Sequence, residues 1–151
     1  MTATSPLASR LLVRDYMVPN PATVTPDQRL LDAQLVMRSK NIRHVPVVND
    51  GRLKGLLTDR DLRSYSPSLL NTSPAKRQEV FERTLVGMVM TKEVLTVMPE
   101  TLLVDAVAKL CEKRYGCLPV VLEKDRLMGV LTVTDMLALT LRFLRGQNQV
   151  Q

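Results

Sequence analysis

The chain has 151 residues, is 45% hydrophobic and 24% charged, and carries a formal net charge of +6 at pH 7. That size fits one compact domain or two small packed ones. No segment approaches the roughly 18 consecutive apolar residues of a membrane span, Met1–Ser9 lacks the basic-then-apolar pattern of a signal peptide, and scattered Lys and Arg without tryptophan argue against nucleic acid, whose single strands are gripped by basic grooves with aromatic platforms.

In chain order, residues 1–9 read as a flexible tail and 10–66 as a first unit. Ala22-Thr23-Val24 is a predicted short strand. Thr25-Pro26-Asp27-Gln28 predicts a helix start, with Thr25 as N-cap, Pro26 at the first position and Gln28 closing a capping box. Leu30, Ala33 and Met37 then form a buried stripe at helical spacing. Ile42–Val48 and Leu53–Leu57 are predicted strands joined by the tight turn Asn49-Asp50-Gly51, and Thr58–Tyr65 a short helix. Residues 67–86 read as a linker with a helix: Ser66–Pro74 is rich in Ser, Pro and Asn, and Ser73-Pro74 caps an amphipathic helix over 75–88 with Val80, Leu85 and Met88 on its apolar face. A second unit spans 87–144, with Leu103, Ala106 and Leu110 as its stripe. Its last helix, 134–144, is apolar on most faces (Met136, Leu137, Leu139, Leu141, Phe143, Leu144). Such a helix is expected to be covered by the other unit or by a partner subunit, a membrane surface being the lesser option. Residues 145–151 read as a second tail.

The two units repeat one another. His44-Val45-Pro46-Val47-Val48 is matched by Cys117-Leu118-Pro119-Val120-Val121, and Gly55-Leu56-Leu57-Thr58-Asp59-Arg60-Asp61 by Gly129-Val130-Leu131-Thr132-Val133-Thr134-Asp135. The prolines lie 73 residues apart, Pro46 to Pro119, and the glycines 74, Gly55 to Gly129, so one extra residue sits within Glu123-Lys124-Asp125-Arg126. Such an internal repeat sets the architecture before any local reading.

Thr and Asp recur three apart at the same point of each copy. Thr58 ends a strand and starts a helix, where its hydroxyl and the following N–H groups can face an anion, because a helix N-terminus carries about half a positive charge. Asp61 lies one turn on and can accept both hydroxyls of a ribose. Thr132 and Asp135 repeat the arrangement. Thr-x-x-Asp is also close to a plain capping box that needs no ligand. Arg43 and His44 precede the Val45-Pro46 strand. Arg43 can bind phosphate through two N–H groups and His44 can add charge as pH falls toward 6.5, or both can simply pack and solvate the strand. Gly116 and Cys117 stand at the matching places and offer no cation. Arg60 and Arg63 flank Asp61, whereas Thr134 and Leu137 flank Asp135, so the two copies are not equivalent. One histidine, no nucleophile elbow, no metal cluster and no phosphate-binding glycine loop argue against an enzyme. Cys111 and Cys117 read as free thiols of a reducing, cytoplasmic compartment.

Tyr16-Met17 and Val89-Met90 opening each copy, Thr-Val before a small-residue helix, the apolar-Pro-Val-Val strand and Gly-x-x-Thr-x-x-Asp, in this order and twice, resemble a tandem pair of cystathionine-β-synthase (CBS) domains, the Bateman module. The resemblance covers about Val13 to Leu139 and is nearest to small standalone prokaryotic CBS-pair proteins. It implies an α/β fold of two β-α-β-β-α repeats about a pseudo-twofold axis, with clefts for adenosine compounds such as AMP, ADP, ATP, S-adenosylmethionine or a dinucleotide, and a homodimer forming a disc of four repeats. It implies that Asp61 and Asp135 hold ribose, that Thr58 and Thr132 approach phosphate, and that basic residues such as Arg43 and His44 stand near the phosphates; the charge asymmetry between the copies adds Arg60 and favours a phosphorylated ligand in the cleft served by Arg43 and Arg60. It further implies that Met17, Ala22, Val24, Ile42 and Pro46 wall one adenine, and Met90, Leu95, Val97, Tyr115, Cys117 and Pro119 the other; any single one of these also suits a plain core. The function expected is a regulatory sensor of adenosine nucleotides, needing no resident cofactor or metal and acting on an unidentified protein target. The alternative is a ligand-free dimerisation or protein-interaction module.

Overall fold

The computed structural model describes residues 11–65 and 72–146. Residues 66–71 of the Ser-, Pro- and Asn-rich stretch, the whole predicted N-terminal tail and residues 147–151 of the second lie outside them. In chain order the elements are β1 (Val18–Pro19), α1 (Leu30–Lys40), β2 (His44–Asn49), β3 (Arg52–Thr58), α2 (Asp59–Tyr65), α3 (Pro74–Arg83), α4 (Val86–Val89), α5 (Leu103–Lys113), β4 (Cys117–Leu122), β5 (Arg126–Thr132) and α6 (Val133–Leu144). This is a mixed α/β chain. Among the described residues no helix is long and apolar enough to cross a membrane.

The described residues divide into two compact units. The first comprises 21–94 with 123–127, and the second 11–20, 95–122 and 128–146. In the first, β2 and β3 form an antiparallel hairpin with His44 opposite Thr58 and Val45 opposite Leu57. Asp50 and Gly51 turn it with φ of 49° and 73°, the left-handed pair that a two-residue hairpin requires. Leu30, Ala33 and Met37 of α1 pack on Val45, Val47 and Leu57, joined by Val24, Leu62, Phe81 and Val86. In the second unit β5 pairs with both β1 and β4. Its core holds Leu103, Ala106 and Leu110 of α5 with Val13, Val97, Leu118, Val120, Leu131 and Met136. Both predicted helical stripes are therefore core. The extra residue of the second copy sits in a turn where Lys124 and Asp125 take φ of 58° and 61°.

Compact units and sequence repeats do not coincide at their openings. Leu11–Met17 packs in the second unit's core, and the segment from Val86 to Met90 in the first. The pairing is the same in both places. Leu103 N–H donates to Leu11 O (2.8 Å) and Val13 N–H to Thr101 O (2.9 Å), just as Leu30 N–H donates to Thr84 O (2.9 Å) and Val86 N–H to Gln28 O (2.9 Å).

Three local expectations are corrected, two of them by that pairing. The first helix begins at Leu30 and not at Pro26, because the carbonyls of Pro26 and Gln28 accept from Gly87 and Val86 instead of feeding a helix. Thr25 and Gln28 still meet, Thr25 N–H to Gln28 Oε1 at 2.8 Å, but as a turn. Asp32 caps the real helix by accepting Arg29 N–H at 2.9 Å. The helix expected over 75–88 stops at Arg83, because Thr84 and Leu85 are extended to pair with Leu30 and Arg29. Its Ser73 cap, donated to by Lys76 N–H at 3.3 Å, holds, but Met88 is 70% exposed rather than part of an apolar face. Ala22–Val24 is not a full strand: Val24 makes only a single parallel bridge to Val47.

Candidate functional site

Each unit builds the Thr–Asp pair at the junction of its last strand and the following helix. Thr58 N–H and Thr58 Oγ1 both donate to Asp61 Oδ2, at 2.8 and 2.7 Å, and Asp61 N–H returns a bond to Thr58 Oγ1 at 3.1 Å. In the second unit Thr132 N–H donates to Asp135 Oδ2 at 3.0 Å, Thr132 Oγ1 donates to the same oxygen, and Asp135 N–H returns to Thr132 Oγ1 at 3.2 Å. Both pairs are therefore closed capping boxes. Each uses one carboxylate oxygen. Oδ1 of both aspartates takes part in no hydrogen bond among the described residues, and both groups are half-buried.

The surroundings differ. Beside Thr58, the Arg43 carbonyl accepts Asp59 N–H at 2.9 Å, which ties the start of α2 to the start of β2. His44 stands across the hairpin from Thr58. Burial holds its pKa below the usual 6.5, Arg43 adds to that, and the carboxylates of Asp61 and Asp59 oppose it. The residue expected to gain charge as pH approaches 6.5 thus does so only at more acid pH. Arg63 is taken up by Asp59 through an Nη2–Oδ2 contact of 3.0 Å. Arg43 and Arg60 are exposed and form no ion pair among the described residues.

In the second unit the matching backbone bond runs from Val133 N–H to Gly116 O at 3.1 Å. Cys117 replaces His44. Burial, with the Asp135 carboxylate adding to it, pushes its thiol up to about 12. Cys111 is exposed and both cysteines are free. Among the described residues no group of three or more His, Cys, Asp or Glu is placed to hold a metal ion.

Of the apolar candidates, Val24, Pro46, Val97, Cys117 and Pro119 are buried. Val24 N–H donates to Pro46 O at 3.1 Å, and Val97 N–H to Pro119 O at 3.1 Å, so each pair stands together beside its own strand. Ala22 and Ile42 are half-buried in the first unit and Leu95 in the second. Tyr115 is 45% exposed. Met17 and Met90 change places relative to the sequence grouping: Met90 packs on the first core and Met17 on the second. Gly55 and Gly129 make this packing fit. A Cβ on Gly55 would lie 2.6 Å from Thr91 O and 2.7 Å from Met90 Sδ, and one on Gly129 2.8 Å from Val18 O and 2.7 Å from Met17 Sδ. In the sequence the two glycines mark the repeat, and their recurrence at matching positions is the only sign there of this packing role.

Comparison with known proteins agrees with this double construction. The family description "CBS domain" matches residues 13–68 and again 86–142. CBS domain-containing protein YhcV of Bacillus subtilis is 33% identical over 124 residues, covering 82% of this chain and 81% of that protein. Inosine-5'-monophosphate dehydrogenase of Aquifex aeolicus is 34% identical over 122 residues, 80% of this chain but only 22% of that enzyme. The crystal structure of CBSX2 in complex with AMP superposes with a TM-score of 0.76 at 28% identity, covering 89% of this chain and 99% of that one.

Proposed function

The chain belongs to the CBS-domain family, as a tandem pair, and on that premise we propose that it is a non-enzymatic regulatory module that binds an adenosine nucleotide at the Thr58–Asp61 end of its first repeat. The carrying observation is the half-used carboxylate. The cap engages Asp61 Oδ2 only, and Oδ1 remains an acceptor for a ribose diol. Arg43 and Arg60, neither held by a carboxylate among the described residues, are the cations for its phosphate. Ala22, Ile42 and Met90, half-buried in the same compact unit, are the apolar surfaces assigned to the base. The AMP bound by CBSX2 supports this ligand class.

Binding stabilises the form that holds the ligand, and regulation follows only from a difference in affinity between two states. We assign the module to the cytoplasm, in keeping with its two free thiols, and to a homodimer. The exposed Leu137, Leu141, Phe143 and Leu144 of α6 support the dimer, and sedimentation of the full chain tests it. The competing reading, a ligand-free interaction module, draws on the closure of both caps without any ligand.

A thermal-unfolding panel separates the two. The chain is melted alone and with AMP, ADP, ATP, S-adenosylmethionine and NAD, with Asp61→Asn and Asp135→Asn beside it. A shift lost in Asp61→Asn supports the nucleotide site. No shift with any of the five ligands overturns it in favour of the interaction module.

A further inference from the structure

We propose that Arg52 and Arg126 form a second anion site, which takes a phosphate group between their guanidinium groups. Arg52 opens β3 and Arg126 opens β5, and the two are direct partners in antiparallel pairing. Leu127 N–H donates to Gly51 O at 3.0 Å and fixes that register. Both residues belong to the first compact unit. They lie one repeat period apart in sequence, so each copy supplies the same residue. Directly opposed residues on paired strands share a face with Cβ atoms about 4.5–5.5 Å apart, and like charges placed so are destabilising.

Among the described residues no carboxylate comes into ion-pair contact with this pair. Arg52, Arg126 and Lys54, two residues along the same strand, are all exposed, and none makes an ion pair among the described residues. Asp50, Glu123 and Asp125 occupy the adjoining turns without coming into ion-pair contact with them. A phosphate dianion offers what two arginines at directly paired positions lack, oxygens for paired N–H bonds and charge to cancel both. The site is separate from the nucleotide site: six residue steps of β3, at about 3.4 Å each, put Thr58 roughly 20 Å away. It stands whether or not the nucleotide reading does.

The test is thermal unfolding of the full chain in low-salt, phosphate-free buffer, followed by circular dichroism. Wild type, Arg52→Gln, Arg126→Gln and the double variant are titrated with inorganic phosphate, with glycerol phosphate, and with sodium chloride at matched ionic strength. At tenfold the dissociation constant, phosphate should raise the wild-type Tm by roughly 3–5 °C beyond the chloride control. Both single variants should lose that response and melt no lower than wild type without phosphate. A response to glycerol phosphate as well says that the site admits a phosphomonoester, and a response to inorganic phosphate alone that it holds the free ion. A phosphate shift unchanged in the double variant, or one that chloride reproduces, overturns the proposal. Asp61→Asn should leave the shift intact, so a failed nucleotide panel and a failed anion site are told apart.

Discussion

Substitution of Asp61 separates the structural share of its carboxylate from its share in binding. Asp61→Ala removes two bonds, from Thr58 N–H at 2.8 Å and Thr58 Oγ1 at 2.7 Å, and leaves a half-buried N–H without its cap. Loss of such a cap costs about 1–2 kcal/mol, which for a chain of this size lowers Tm by roughly 3–6 °C. Asp61→Asn keeps an acceptor oxygen for Thr58 and loses only the charge, so its cost should stay below about 1 kcal/mol. AMP at 100 times its dissociation constant adds about 2.7 kcal/mol to the wild type, a rise of roughly 6–10 °C. Thermal melts with and without AMP should therefore place the ligand-free Asp61→Asn close to wild type, and both variants should lose the AMP rise. A full AMP rise in Asp61→Asn would refute the assignment of the free oxygen to ribose. An unchanged ligand-free Tm in Asp61→Ala would refute the energetic role of the cap.

Because the fold lowers the His44 pKa, the unfolded chain binds the proton more readily below about 6.5, and stability contributed by neutral His44 is lost as pH falls below that value. Urea unfolding as a function of pH should show wild type losing stability relative to His44→Gln on acidification, with no difference between their slopes above pH 7. Gly55→Ala should cost about 1–3 kcal/mol, since the new methyl meets the Thr91 carbonyl at 2.6 Å, and that carbonyl is held by Leu56 N–H at 2.9 Å; Gly129→Ala should cost a similar amount against Val18 O, and wild-type stability in urea would rule out the close approach. A thiol reagent at neutral pH should label Cys111 alone in the native protein and Cys117 only after unfolding, because Cys117 is buried with a thiol pushed up to about 12; fast native labelling of both would contradict that. Thr134→Arg, which sets a guanidinium where the first copy has Arg60, should create an AMP-induced Tm rise that persists in an Asp61→Asn background; no gain would mean that charge is not what separates the copies.

What was legible in the sequence was local. The hairpin turn at Asp50-Gly51 and the stripes on α1 and α5 depend on residues a few positions apart, and they stand where pattern and turn chemistry put them. The ends of α1 and α3 were not legible, because they are set at a distance. Residues 84–87 pair with 26–30 and take carbonyls that a helix starting at Pro26 would need. The exchange of Met17 and Met90 between cores was hidden for a related reason: a repeat is recognised by likeness of sequence, whereas a core is defined by what packs together. At the candidate site, the Thr–Asp spacing located the cap correctly. Spacing could not show that only Oδ2 is used, that Arg63 is claimed by Asp59, or that burial would dominate the titration of His44.

The two caps share one geometry and differ in charge. Around Asp61 stand Arg43, His44 and Arg60; around Asp135 the same positions hold Gly116, Cys117 and Thr134. A carboxylate that grips ribose also repels a nearby phosphate, by roughly 4 kcal/mol for unit charges 4 Å apart at a surface-like effective dielectric. On the proposed reading the guanidinium groups of Arg43 and Arg60 would offset that repulsion, whereas Gly116, Cys117 and Thr134 at the matching positions carry no charge with which to do so. If both carboxylates grip ribose as proposed, that difference in charge would make the first repeat the better site for a phosphorylated adenosine. The second would then favour an adenosine compound without phosphate, so the same thermal panel run with phosphorylated and unphosphorylated adenosine compounds tests whether the repeats discriminate by ligand charge.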